Sequence, residues 1–235
     1  MQSTKIISIF LTASLLLLFP LRAEAKEADG AAFFRPEIYF FGESTTAHLS
    51  RREGVLDTDR DRHRVLRDGS GTRMLERRIL SSPVLLDGEC VPLADAVERL
   101  APPVLVLSFG LNGLFYHVSH PDRFLGNYRL LIDGIRARSP STRIYLQSVY
   151  PVGENTVFSE SSATVNEAIR TLNARIASAC ADWGDATYLD TSHLLLDASG
   201  GLDRQYDVGD GIHLTNAAYQ RLLAFLEARI GKEQS

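Results

Sequence analysis

The sequence predicts an α/β domain in which helices cover both faces of a five-stranded parallel sheet of order 2-1-3-4-5. Three observations carry this. Short β-prone runs alternate with helical stripes along the chain, the pattern of a parallel sheet buried on both faces. Right-handed crossovers then leave few topologies. The residues that could do chemistry cluster just past the ends of the strands, where open α/β sheets bind their ligands.

Residues 1–25 read as a secretory signal peptide: Lys5 gives a positive start, Ile6 to Phe19 an apolar run, and Ala23-Glu24-Ala25 a small-residue cleavage site. An uncleaved anchor is the alternative, but the run is short against the ~20 residues of a membrane span. No cysteine near its end could take a lipid. Residues 26–37 read as a loose leader, and 38–231 as one domain. The net charge of −4 and the absence of a basic block exclude nucleic acid as the expected partner.

Ile38-Tyr39-Phe40-Phe41, ended by Gly42, reads as the first strand. Residues 45–62 are polar and read as a short helix and a loop. His63 to Arg67 reads as a second strand, closed by Asp68-Gly69-Ser70-Gly71. Val91 to Leu100 has helical spacing at 93, 97 and 100 and stops at Pro102-Pro103. Val104 to Phe109 is the clearest strand. Phe124, Tyr128, Leu131, Ile132 and Ile135 form one helical stripe, ended at Ser139-Pro140. Arg143 to Val149 is the fourth strand, and Val165 to Ala179 marks a long helix. Ala186 to Asp190 is the fifth strand. Thr215 reads as the N-cap of a final helix, with Gly231 as its C′ residue.

Three short words fall on one sheet edge: Gly42-Glu43-Ser44 after the first strand, Gly110-Leu111-Asn112 after the third, and Asp210-Gly211-Ile212-His213 before the last helix. Each alone is an ordinary turn. Together they hold the parts of a serine esterase. A serine hydroxyl is a poor nucleophile until a base takes its proton. His213 is the candidate base, and Asp210 is close enough to fix its tautomer. An oxyanion needs donors, each worth ~10²–10³ in rate. The expected donors are the N–H of Ser44, the N–H of Gly71 (or Gly69) and the side chain of Asn112.

These blocks resemble the SGNH hydrolases, also called the GDSL esterase/lipase family, over nearly the whole chain from Ile38 to about Ile230. Ser44, Gly71, Asn112 and His213 match the four name-giving residues, and the stretches 147–152 and 209–215 are also similar to bacterial members. The resemblance implies a flavodoxin-like three-layer α/β/α sandwich and ester hydrolysis with no metal or other cofactor. Two residues depart from the pattern. Glu43 stands where the family usually has Asp, with a role expected to be local. Gly113 stands where Asp usually follows the asparagine, which bears on how Asn112 is supported.

The expected activity is that of an exported serine esterase acting on small acyl groups, such as acetyl on carbohydrate. The ester substrate is either a small molecule or a polysaccharide. The loops at the site are polar and no long apolar lid segment is evident. A lipase or lysophospholipase, or a carbohydrate O-acetyltransferase, could use the same machinery; a non-enzymatic carbohydrate-binding protein is the remaining class. Phe115, Tyr116 and His117 are candidates for a wall of the substrate cleft, and the loop 153–162 for polar contacts. His48, one helical turn past Ser44, is expected on the helix flank rather than over the nucleophile. Trp183 is expected to anchor packing. Cys90 and Cys180 could pair in an exported protein, but the topology puts them near opposite edges of the sheet. Bridged Cα atoms lie within about 7 Å, so the two are expected to stay apart.

Overall fold

The computed structural model describes residues 38–56, 62–67 and 74–232. The signal peptide, the leader, Gly69 and Gly71 therefore lie outside the described residues.

A five-stranded parallel sheet runs in the order β2-β1-β5-β6-β7. Its strands are β1 (Ile38–Gly42), β2 (Val65–Leu66), β5 (Val104–Ser108), β6 (Arg143–Gln147) and β7 (Thr187–Leu189). This is the expected topology: first strand beside second and third, then fourth and fifth. All five residues of β5 are buried because both faces are covered. The period-2 geometry of a strand divides them. Leu105 and Leu107 join one core with Phe41, Leu146 and the apolar stripes of α4 (Pro121–Arg138) and α5 (Ser162–Trp183). Val104 and Val106 join a second core with Phe40, Leu49 of α1 (Ser44–Leu49) and Leu222 and Leu226 of α6 (Asn216–Lys232). The chain is thus a three-layer α/β/α sandwich.

The structure departs from the sequence expectation before the second major helix. Glu89–Pro92 form a strand, β4, antiparallel to β3 (Pro83–Leu86), and helix α2 begins only at Leu93 and ends at Leu100. The turn is Asp87-Gly88, both with positive φ (50° and 84°). An Asp-Gly pair between short strands favours a two-residue hairpin whose twist suits them. At the other end, α6 runs through Gly231 to Lys232, so Gly231 is not its C′ residue. Thr215 does cap α6: its Oγ1 accepts the Ala218 N–H at 3.4 Å.

Cys90 is exposed on β4, Cys180 is buried on α5, and both are free thiols. Trp183 packs against the first core, with the Arg129 guanidinium 5.3 Å from its ring centre. No described helix is long and apolar enough to cross a membrane.

Two asparagines of α5 shape the carboxyl edge. Asn173 donates to the Val149 carbonyl (2.9 Å) and accepts its N–H (2.8 Å); Asn166 does the same for Val152 (2.9 and 2.8 Å). They satisfy buried backbone that has left the sheet and hold the start of the 148–161 segment in place. Seven residues apart, they share one helix face.

Candidate active site

Ser44 is the first residue of α1, directly past β1. The turn is tight. A Cβ on Gly42 would stand 2.4 Å from both the Ser108 carbonyl and Thr46 Oγ1, so only glycine fits there. The Ser44 N–H precedes the first intrahelical bond, which runs from the Ala47 N–H to the Glu43 carbonyl (3.0 Å), and is therefore free to face a ligand. Helix α6 grips this helix from below: the Tyr219 hydroxyl donates to the Thr45 carbonyl at 2.6 Å.

Asp210, His213 and Ser44 meet in one line. His213 Nε2 lies 3.3 Å from Ser44 Oγ, and His213 Nδ1 lies 2.6 Å from Asp210 Oδ2. The other Asp210 oxygen accepts the N–H groups of Ile212 (2.9 Å) and His213 (2.8 Å). Burial works against the Asp210 charge, but these N–H donors and the His213 ring outweigh it and hold the carboxyl at about 2. The carboxylate thus stays ionised beside Nδ1–H, leaving Nε2 to accept a proton. The arrangement can draw a proton from the Ser44 hydroxyl and stabilise the imidazolium that forms.

The loop that carries these residues is itself pinned. Asp207 Oδ1 accepts the N–H groups of Gly209 and Gly211 (2.8 and 2.9 Å), and the Gly211 carbonyl accepts the Gly153 N–H (2.9 Å). Gly211 has φ 72°, and a Cβ there would lie 2.5 Å from the Thr156 backbone nitrogen. Gly211→Ala is therefore expected to displace the loop. Activity on an ester should fall roughly 100-fold, the scale of a 1 Å misplacement, and Tm should drop. Wild-type kinetics in this variant would contradict the packing described.

Glu43 is the residue whose reach the sequence concealed. Its buried carboxyl group is not local: Oε1 accepts the Gly110 N–H (2.8 Å), and Oε2 accepts those of Leu111 (3.1 Å) and Asn112 (3.0 Å). One side chain therefore ties the Ser44 turn to the Asn112 loop. Burial pushes the Glu43 carboxyl up to about 8, against the pull of the three N–H donors. Asn112 is held from its other side by His117, whose Nε2 lies 3.0 Å from the Asn112 carbonyl oxygen. Gly113 takes φ 79°, and a Cβ there would stand 2.5 Å from Met74 Sδ. A side chain at this position would displace the end of Met74 and would take the left-handed backbone conformation that favours glycine.

The three residues of the expected aromatic wall do not share one face. Phe115, Tyr116 and His117 lie in a short helix, α3 (Leu114–Ser119), where successive side chains point about 100° apart. His117 is buried beneath Asn112 and lies 4.4 Å from Phe124, ring centre to ring centre. Phe115 packs on Phe158 of the 153–162 loop (6.2 Å), and Tyr116 turns outward to stack on His120 (4.4 Å). His48 differs in the opposite sense. Its ring stacks on His213 with centres 4.0 Å apart and planes 21° apart. Helical side chains lean back toward the N-terminus, which brings the residue at i+4 over the turn that carries Ser44.

The 153–162 loop lines a polar cavity of about 540 Å³ beside the His213 loop, with Glu154, Asn166, Arg170, Arg204 and Asp207 among its walls. Ser44 and His213 do not line it. Among the described residues no cluster of His, Cys, Asp or Glu could hold a metal ion.

The family model for GDSL-like lipases and acylhydrolases matches residues 40–221. The chain belongs to this family, whose members are ester-hydrolysing enzymes. No curated protein sequence matches it. Among solved structures, a GDSL-like lipase from Bacteroides thetaiotaomicron aligns with TM-score 0.58 and 19% identity, over 84% of this chain and 89% of its own. A candidate acylhydrolase from Bacteroides fragilis aligns with TM-score 0.61 and 18% identity, over 88% and 94%. An acetyl xylan esterase aligns with TM-score 0.54 and 19% identity, over 82% and 98%. These likenesses establish the same fold.

Proposed function

We propose that the protein is an exported serine esterase that works through an acyl-enzyme on Ser44. The observation that carries this reading is the Ser44–His213–Asp210 line, with contacts of 3.3 and 2.6 Å. His213 takes the Ser44 proton as Oγ attacks the ester carbonyl, then passes it to the leaving alcohol. Water, activated by the same imidazole, releases the acyl group. The Ser44 N–H at the start of α1 and the Asn112 side chain hold the oxyanion, and the sequence pattern assigns the third donor to the N–H of Gly71 or Gly69.

The acyl group is small, with acetyl the first choice, and the alcohol is polar and carbohydrate-like. The hydrophilic lining of the cavity beside the His213 loop supports a polyhydroxylated leaving portion. Export rests on the signal-peptide pattern of residues 1–25.

A fluorophosphonate probe is expected to label the wild type at Ser44 and to leave Ser44→Ala unlabelled. Turnover should be faster on p-nitrophenyl acetate than on esters of longer acyl chains, and acetylated polysaccharides should release acetate. An unlabelled wild type that leaves p-nitrophenyl acetate intact would sink the serine mechanism. A preference for long chains would select a lipase instead.

A further inference from the structure

We propose that His48 is a positioning residue for the reaction above: its imidazole is the wall that keeps the His213 ring in the plane serving both Ser44 and Asp210. The inference rests on the serine-esterase reading and extends it.

The His213 ring is bonded only at its edge, through Nδ1 to Asp210 and through Nε2 to Ser44. Two in-plane bonds on opposite sides of a five-membered ring fix its position along one line. They resist tilting about that line only weakly. The contact to Ser44, at 3.3 Å, lies at the long end of hydrogen-bond range, so a small tilt is enough to lose it. A flat ring 4.0 Å away and only 21° from parallel closes one side of that motion.

The support shares a rigid body with the nucleophile. Ser44 and His48 are one turn apart on α1, where i and i+4 side chains are neighbours. The hydrogen bond from Tyr219 to Thr45 fastens α1 to α6, the helix that begins just after His213. The distance between the two rings is therefore set by packed secondary structure at both ends and not by loops alone.

The electrostatics agree with the geometry. Burial holds the His48 imidazole below its ordinary value, and the charges of His213, Arg52 and Arg51 add to this, with Asp210 opposing. His48 is thus neutral at neutral pH. When His213 becomes an imidazolium during the reaction, it lies against an uncharged ring and not against a second cation.

The test compares three substitutions on p-nitrophenyl acetate. His48→Ala should lower kcat roughly 10–100-fold, the cost of a loosened reacting group, with KM essentially unchanged. His48→Phe, which keeps a flat uncharged ring, should recover most of the lost kcat. His48→Leu fills similar space without a flat face and should stay close to the alanine variant. Should the alanine variant fail to fold, the phenylalanine and leucine variants decide between them, since both fill the site. A wild-type kcat in the alanine variant, or equal kcat in the leucine and phenylalanine variants, overturns the proposal. Fluorophosphonate labelling of the wild type reports separately on the serine reading. If that labelling fails, the underlying mechanism is at fault and not the role of His48.

Discussion

His213→Ala is expected to abolish nearly all turnover, lowering kcat by roughly 10⁵–10⁶, because in a triad the loss of the base costs about as much as the loss of all three members. Asp210→Asn is the more instructive partner. The Asp210 oxygen that accepts the Ile212 and His213 N–H groups has a counterpart in asparagine, so the loop keeps its shape. The asparagine NH2 then faces His213 Nδ1 and forces the wrong tautomer, for which a loss of about 10⁴ in kcat is expected. Steady-state kinetics on p-nitrophenyl acetate, with Tm measured alongside, checks both. If Asp210→Asn stays within tenfold of wild type at an unchanged Tm, Asp210 does not orient the base. If His213→Ala keeps more than a small fraction of activity, the base lies elsewhere, and His48, stacked 4.0 Å away, is the first place to look. Asp210 is held at about 2, so loss of activity on mild acidification has to come from another group.

The second large effect is expected at Glu43. Glu43→Gln sets an NH2 group against backbone N–H donors that need an acceptor. Leaving such a buried group unpaired costs about 1–3 kcal/mol of stability. The kinetic effect comes through Asn112, whose N–H is one of the three, and a kcat loss of roughly 10–100-fold is expected from its displacement. Stability should also depend on pH in a characteristic direction. The folded state holds the Glu43 proton more tightly than the unfolded chain does, with a pKa of about 8 against 4.5. The stabilisation from this residue is therefore fully present below pH 4.5 and declines as pH rises through 8. The wild-type Tm should accordingly fall more between pH 5 and 9 than that of Glu43→Gln. Parallel Tm curves would show that Glu43 does not titrate in this way.

The sheet order and the meeting of Ser44, Asp210 and His213 were legible because both depend on local patterns placed by a topology with few alternatives. The hairpin of β3 and β4 was not legible in the same way: its signal, Asp87-Gly88 between two short runs, is masked by the helical spacing at 93, 97 and 100. Glu43 was not legible. Its partners stand 67 to 69 residues away, and nothing near it in the chain marks a carboxylate aimed across the sheet. Phe115, Tyr116 and His117 are adjacent in the chain, which suggests a shared surface, whereas the helix sends neighbours in different directions. For His48 the i+4 spacing alone suggests the helix flank, whereas the backward lean of helical side chains carries its ring onto that of His213.

The Glu43 bridge also links chemistry to the order of assembly. On the proposed mechanism, a Ser44 turn formed early on its own would have no oxyanion loop beside it. The two come together only when β1 and β5 are paired and the Glu43 carboxyl group has found its three N–H groups. The base arrives from the far end of the chain, on a loop that α6 anchors. A partly folded molecule is then an inert one, and a covalent active-site titrant counts fully assembled chains rather than total protein.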